Sequence, residues 1–261
     1  MTKRLLFFLS FLLSFSLSAT RTTLMLPVGI TLPLSQKPLF LFDVGTVLLK
    51  QDQFNNIPRY CKIISQSPGH RWELTQVLPW CLIRMSTLKK LQRTGPEDGI
   101  IDYITQHHPV LNKQTTKGIK ISDAIKEILC AASPIIANQK LLANLISQGH
   151  EVALATNKGR ATIDRFINSG ALIAAHYRFI FTCDSHSNPA HHIFYKKPSQ
   201  IYFEKLWEVI RNADLATVPI IFIDNEIKNV QAAVASGMIG IHYISPKQLA
   251  NDLKLLGIAI N

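Results

Sequence analysis

The chain has 261 residues, 47% of them hydrophobic and 17% charged, so it can bury the core of one large domain or of a domain with an insertion. Lysine and arginine total 28 against 17 aspartates and glutamates, and the formal charge of +11 favours anionic partners. The basic residues are scattered from Arg59 to Lys254, so we expect no specific nucleic-acid binding. The lack of repeats, heptads and low-complexity tracts excludes solenoid and coiled-coil architectures.

The N-terminus has the pattern of a secretory signal. Lys3 and Arg4 precede the uncharged apolar stretch Leu5–Leu17, and small residues up to Ala19 follow it. Because this stretch is shorter than the roughly 20 residues that span a bilayer, we expect cleavage and export to the periplasm or the extracellular space. The alternative is an uncleaved anchor, since apolar residues resume at Leu24–Leu34, and membrane association is expected only in that case.

The four cysteines are Cys61, Cys81, Cys130 and Cys183. Their spacing matches no zinc-binding pattern. In an oxidising compartment an even number of cysteines is compatible with one or two disulfides. Four cysteines allow three pairings, and the sequence does not choose among these pairings and free buried thiols.

The stretch Leu39–Phe42 is a short apolar run, typical of a fully buried parallel strand. Asp43 follows at the carboxyl end of that strand, and Gly45 and Thr46 turn the chain directly afterwards. Open α/β sheets place their active sites at such a position. The alternative interpretation is a turn aspartate that accepts hydrogen bonds from loop amides.

The segment from Gln51 to about Ser133 is predicted to be helical, because its apolar residues recur at helical spacing. Ser122 is expected to cap a helix over Asp123–Cys130. We interpret the segment as a small helical unit inserted between two parts of an α/β core.

After Pro134, predicted helices and strands alternate, which favours a parallel sheet covered on both faces. Pro198 is expected to open one of the helices. The other predicted elements are helices over Asn138–Ser147 and Ala161–Asn168 and strands over Glu151–Ala155, Tyr177–Cys183, Val218–Ile223 and Ile239–Ile244.

Polar residues of complementary type follow the predicted strands. Asp43 and Asp224 supply carboxylates, Thr156 supplies a hydroxyl with Asn157 beside it, and Lys197 follows the remaining strand through a loop. Parallel strands bring these residues to one edge of the sheet. Two neighbouring carboxylates suit a hard divalent cation such as Mg²⁺, and a lysine with a hydroxyl suits the oxygens of a phosphoryl group.

Together these residues resemble the motifs of the haloacid dehalogenase (HAD)-like hydrolase superfamily, in the variety with a helical cap after the first strand. The resemblance implies an α/β fold, with a three-layer Rossmann-like parallel sheet as the HAD core and an inserted α-helical cap. The predicted division is a signal peptide at 1–19, an N-terminal segment at 20–37, the core at 38–50 and 134–261, and the cap at 51–133. The matching motifs are Asp43-Val44-Gly45-Thr46-Val47, Thr156-Asn157, Lys197-Pro198 and Asp224-Asn225.

The resemblance also implies a role for each motif residue. Asp43 would be the nucleophile that forms an aspartyl-phosphate, and Lys197 would assist catalysis and bind substrate together with Thr156 and Asn157. Mg²⁺ would be the cofactor, and the implied ligands are Asp43, Gly45 through its backbone carbonyl, Asp224 and Asn225.

Two departures from the family pattern bear on activity. Gly45 stands where phosphatases of this family have the aspartate that acts as acid and base, and losing such a group costs about 10²–10⁴-fold in rate. Asn225 stands where a second acid is usual, which should weaken metal binding. Asp43, Thr156 and Lys197 nevertheless match the family pattern, so the main hypothesis is an exported Mg²⁺-dependent phosphatase acting on a small phosphate ester. The alternative, which Gly45 and Asn225 favour, is a HAD-fold pseudoenzyme that binds a phosphorylated ligand or a protein partner.

Overall fold

The structure is a computed structural model. The predicted signal peptide lies outside the described residues, as does most of the segment at 20–37. None of the described helices is long and apolar enough to cross a membrane. The residues that the structure describes are 23–27, 29, 34, 36–51, 56–84, 99–129, 132–184, 195–215 and 217–260.

A six-stranded sheet forms the centre of the molecule, in the order β1-β8-β7-β2-β5-β6. Strand β1 is antiparallel to β8, and every other pairing in this sheet is parallel. The predicted α/β class with a parallel sheet is confirmed. The strands of this sheet are β1 (Leu24–Met25), β2 (Leu39–Phe42), β5 (Glu151–Ala155), β6 (Ile180–Phe181), β7 (Ile220–Asp224) and β8 (Ile239–His242).

Alternate side chains of β2 enter different halves of the core, because successive side chains of a strand point to opposite faces. Phe40 and Phe42 pack in one buried cluster, whereas Leu39 and Leu41 pack in another. Helices cover both faces of the sheet. The described helices are α1 (Asn56–Ser65), α2 (Arg71–Ile83), α3 (Gly99–His107), α4 (Ile121–Leu129), α5 (Ile136–Ser147), α6 (Arg160–Asn168), α7 (Gln200–Asn212), α8 (Ile227–Ala235) and α9 (Pro246–Leu255).

Helices α1 to α4 lie between two strands of a small antiparallel ribbon, β3 (Leu49–Gln51) and β4 (Ala132–Pro134). The pairing of Leu49 with Pro134 brings the entry and the exit of this helical segment together. The helices bury an apolar cluster of their own, which includes Leu74, Leu111 and Ile121. The division into a core and a cap with the boundaries given above stays a prediction.

Most predicted elements are observed within one or two residues of their predicted ends, but two predictions are wrong. The strand predicted over Tyr177–Cys183 is limited to Ile180–Phe181. It is an edge strand, and the chain before it forms a short 3₁₀ turn at Ala174–His176, so only two residues pair with β5. The predicted cap Ser122 lies inside its helix, which begins at Ile121.

The structure leaves the disulfide prediction open. Cys61 is an exposed free thiol in the described part of the chain, and Cys183 is buried. The side chains of Cys81 and Cys130 lie outside that part.

Candidate active site

Strands β5, β2 and β7 are adjacent in the sheet, and their carboxyl ends bring three predicted site residues together. Asp43 is the first residue after β2, and its backbone N–H donates to the carbonyl of Ile223 at 2.9 Å. Asp224 ends β7, and Thr156 directly follows β5. This placement is the general one for ligand sites in open α/β sheets.

Lys197 connects the two carboxylates at this edge. Its Nζ donates to Asp43 Oδ1 at 2.8 Å, to Asp224 Oδ2 at 2.6 Å and to the carbonyl of Ala155 at 2.7 Å. An ammonium group has three hydrogens, so all three are used. The side chains of Lys197 and Asp224 are each 1% exposed, whereas that of Asp43 is 13% exposed. Asp43 is therefore the carboxylate of this trio that solvent or a ligand can reach.

Burial and charge shift the pKa values of Asp43 and Lys197, because two buried carboxylates share one lysine. Burial raises the pKa of Asp43 most; Lys197 opposes that rise and Asp224 adds to it, so the net pKa lies above the usual range. For Lys197, burial alone would lower the pKa, but Asp224 and Asp43 together raise it above its ordinary value. Lys197 is thus firmly protonated, while Asp43 ionises less readily than an ordinary aspartate.

Asp224 is oriented by further donors besides Lys197. Its Oδ1 accepts from the backbone N–H of Glu226 at 2.8 Å, and its Oδ2 also accepts from Asn229 Nδ2 at 3.0 Å. The sequence analysis missed Asn229, although its place in the first turn of α8, five residues after Asp224, was a usable signal. The predicted role of Asp224 as a metal ligand stays a prediction, and the observed contacts make it a partner of Lys197.

Asn157 contacts the backbone of Lys197. Its Nδ2 donates to the carbonyl of Lys197 at 3.0 Å, and its Oδ1 accepts from the N–H of Lys197 at 2.6 Å. Both polar atoms of the amide are thereby engaged, so Asn157 positions the lysine. Its predicted contact with substrate stays a prediction.

Thr156 is buried, and its hydroxyl oxygen accepts from the backbone N–H of Lys158 at 3.2 Å. This hydroxyl donates no hydrogen bond to any other described residue. A hydroxyl that already accepts one hydrogen bond can still donate its hydrogen. Thr156 thus retains the donor that the predicted phosphoryl contact requires.

Gly45 leaves room on the other side of Asp43. A Cβ atom built on Gly45 would lie 3.7 Å from Asp43 Oδ2 and 4.0 Å from Lys158 Cε, with no closer neighbour outside the adjoining residues. Lys158 also lowers the pKa of Asp43, against the effect of burial. The sequence analysis did not single out Lys158, although it follows Thr156-Asn157 directly.

No family model matches this chain, and no curated protein matches it by sequence. Solved structures do match. A protein from Bacillus subtilis assigned as a HAD-hydrolase, YfnB, bound to magnesium, has 13% identity and a TM-score of 0.51, over 85% of this chain and 100% of that one. The chain has the fold of the HAD-like hydrolases.

Two other solved structures are similar to this chain over most of their length. The L-2-haloacid dehalogenase of Xanthobacter autotrophicus has 15% identity and a TM-score of 0.47, over 84% of this chain and 83% of that one. A hydrolase from Streptococcus pneumoniae TIGR4 has 14% identity and a TM-score of 0.47, over 84% and 98% of the two chains. The resemblance to the HAD superfamily is confirmed at the level of the fold, while the helical-cap variety stays a prediction.

The donors at this edge of the HAD fold are compatible with Mg²⁺. The described residues contain no group of three or more His, Cys, Asp or Glu that could hold a metal. Mg²⁺, however, commonly keeps several waters and uses one or two carboxylates. In the predicted ligand set, Asp43 would supply one such carboxylate, and the backbone carbonyl of Gly45 and the amide of the half-buried Asn225 would supply neutral oxygens. Such a set would carry less charge than a site with two free carboxylates, so we expect weaker metal binding.

Proposed function

We propose that the protein is an exported, Mg²⁺-dependent phosphatase that hydrolyses a small phosphate ester through an aspartyl-phosphate. The observation that carries this proposal is the contact between Lys197 Nζ and Asp43 Oδ1. It holds one carboxylate oxygen of the most exposed acid of the trio and leaves Oδ2 on the side of Gly45, where space remains. A buried lysine that only stabilised the fold would not need a partly exposed acid as its second partner.

In the proposed reaction, Asp43 Oδ2 attacks phosphorus, the new O–P bond forms, and the bond to the ester oxygen breaks. Thr156 would donate its hydroxyl hydrogen to a phosphoryl oxygen, and Lys197 would hold Asp43 in the orientation for attack. Water then attacks the aspartyl-phosphate, releases inorganic phosphate and restores the carboxylate. Positioning and charge stabilisation of this kind provide most of the rate enhancement in phosphoryl transfer.

Mg²⁺ would be held by Asp43, the carbonyl of Gly45 and the amide of Asn225. When bound, it would neutralise negative charge on the phosphoryl oxygens. Since Gly45 has no side chain, it supplies no acid for the leaving group. We therefore expect aryl phosphates, whose leaving groups need little protonation, to react faster than alkyl phosphates.

The alternative function is a pseudoenzyme that binds a phosphorylated ligand or a protein partner. The two substitutions that favour it are Gly45 in place of an acid and Asn225 in place of a second metal-binding carboxylate. A pseudoenzyme would retain the Lys197 contacts because their loss would leave buried carboxylates without a partner.

Hydrolysis of 4-nitrophenyl phosphate with Mg²⁺ tests the proposal. Asp43→Asn should reduce kcat by at least about 10³-fold, because removal of a nucleophile eliminates the covalent route. The matched control is Asp164→Asn, which alters an exposed carboxylate paired with Arg160 and should leave turnover unchanged. Turnover that persists in Asp43→Asn would rule out the aspartyl-phosphate. Binding of phosphate by wild type without any Mg²⁺-dependent turnover would favour the pseudoenzyme.

Export is tested separately, on protein from the native host. Mass spectrometry should show a mature chain that begins near Thr20. An intact Met1 in a membrane fraction would support the anchor instead.

A further inference from the structure

We propose that Lys158 is a second phosphoryl-binding cation of this site, which faces the nucleophilic oxygen of Asp43 across the space that Gly45 leaves open. This inference rests on the proposed function and adds a substrate-binding residue to it. The juxtaposition that supports it is that Asp43 Oδ2 and Lys158 Cε lie 3.7 and 4.0 Å from the same point, the Cβ position of Gly45.

The backbone around Lys158 keeps this residue at the edge of the sheet. Its N–H donates to Thr156 Oγ1 at 3.2 Å, and its carbonyl accepts from the N–H of Cys183 at 3.2 Å. The first of these contacts links Lys158 to the hydroxyl that would donate to a phosphoryl oxygen. A ligand that reaches Thr156 and Asp43 would therefore also be close to the side chain of Lys158.

The ammonium group of Lys158 is available to a ligand. Among the described residues it forms no ion pair, and its Nζ lies 5.7 Å from the centroid of the Phe166 ring. The side chain is half-buried, so solvent screens it incompletely. Arg160 and Lys205, by contrast, are each paired with a carboxylate on their own helix.

The protein charges at the site favour a further cation near Asp43. Asp43 and Asp224 carry two negative charges when ionised, and Lys197 supplies one positive charge with all its hydrogens directed at protein oxygens. Without Lys158 the protein groups would present a net negative charge to an incoming phosphate.

The test is binding of inorganic phosphate and of orthovanadate, measured by calorimetry with and without Mg²⁺. Lys158→Gln should weaken binding of both anions at least about 10-fold, since a partly screened charge pair near 4 Å contributes at least that much. Lys158→Arg keeps the charge and should retain most of the affinity. Lys254→Gln removes the same charge from an exposed position on α9 and should have no effect.

The outcomes separate this inference from the proposed function. If Lys158→Gln weakens anion binding and wild type shows no turnover, Lys158 is the phosphate ligand of a pseudoenzyme and the enzymatic proposal fails. If wild type turns over and Lys158→Gln leaves KM, phosphate inhibition and anion affinity unchanged, the role of Lys158 is overturned and the enzymatic proposal stands. Equal losses in Lys158→Gln and Lys158→Arg, with altered thermal unfolding, would also overturn it, because they indicate a structural role.

Discussion

The two sides of Asp43 differ in how firmly the fold determines them. On one side, Lys197 is buried and directs every ammonium hydrogen at a protein oxygen, and Asn157 and Asp224 hold it in place. On the other side are Gly45, which has room around it, and Lys158, which forms no ion pair within 4 Å with any described residue. Residues on the closed side are constrained, because any change there would leave buried charge unpaired. Residues on the open side can be substituted without loss of the fold, so substitutions that alter the chemistry of the site are expected there.

The largest effect is expected on the closed side, from Lys197→Met. It leaves Asp43 and Asp224 buried without their common partner, and breaking a buried ion pair costs about 3–5 kcal/mol. Urea unfolding should show this loss, and phosphatase turnover should fall for aryl and alkyl esters alike. The control is Lys205→Met, whose partner Glu208 is on the same helix and partly exposed, and which should change stability by less than about 1 kcal/mol. Equal losses in the two variants would contradict the distinction between the two sides.

A smaller effect is expected from Asn157→Ala, which removes both hydrogen bonds to the backbone of Lys197. Unpaired backbone groups cost about 1–3 kcal/mol when they are buried. If Asn157 only positions Lys197, kcat should fall while phosphate affinity is retained. A selective loss of phosphate affinity would instead support the predicted contact of Asn157 with substrate. Asn251→Ala, at an exposed position of α9, is the control.

The pH dependence of kcat/KM should depend on residues of both sides, because burial, Lys197 and Lys158 all shift the pKa of Asp43. Asp43 must be ionised to attack, and its pKa is raised, so kcat/KM should fall with decreasing pH at a higher pH than for an ordinary aspartate, whose pKa is about 3.9. Lys158 lowers the pKa of Asp43, so Lys158→Gln should move this acid limb to still higher pH. The measurement uses an aryl phosphate at constant Mg²⁺, with Lys254→Gln as the control. A shift to lower pH would contradict the assigned proximity of Lys158.

The smallest effect on stability is expected from Gly45→Ala, because the added Cβ meets no atom closer than 3.7 Å outside the adjoining residues. Thermal unfolding should change by less than about 0.5 kcal/mol. Gly240→Ala is the contrasting glycine variant, since its Cβ would lie 2.6 Å from Val230 Cγ1 and 2.7 Å from Val234 Cγ2, and overpacking of this kind costs about 1–3 kcal/mol.

The same space at Gly45 allows a gain-of-function variant. Gly45→Asp should raise the turnover of alkyl phosphates relative to aryl phosphates, because it supplies an acid for the leaving group. Gly45→Asn is the matched control without an acid. An equal response of both ester classes to Gly45→Asp would show that leaving-group protonation does not limit the reaction.

The proximity of the Asp43, Asp224 and Lys197 side chains was predictable from the sequence. Buried apolar runs identify β2 and β7, and the carboxyl ends of neighbouring parallel strands lie at the same edge. The shortness of β6 was not predictable, because an apolar run does not reveal how many of its residues find a pairing partner. The engagement of Asn157 with Lys197 was missed for a related reason, since the two residues are distant in the chain and meet only through the loop.

The sequence by itself determined the order of strands and helices, the polar residues at the strand ends and the absence of an acid at position 45, because local apolar patterns and residue identity are enough for these. Only the tertiary structure decided which atoms face one another. It directed both polar atoms of Asn157 to the backbone of Lys197 and brought Lys158 beside Gly45. The physical reason is that side-chain direction after a strand depends on loop hydrogen bonds and on burial by distant parts of the chain, which no local pattern records.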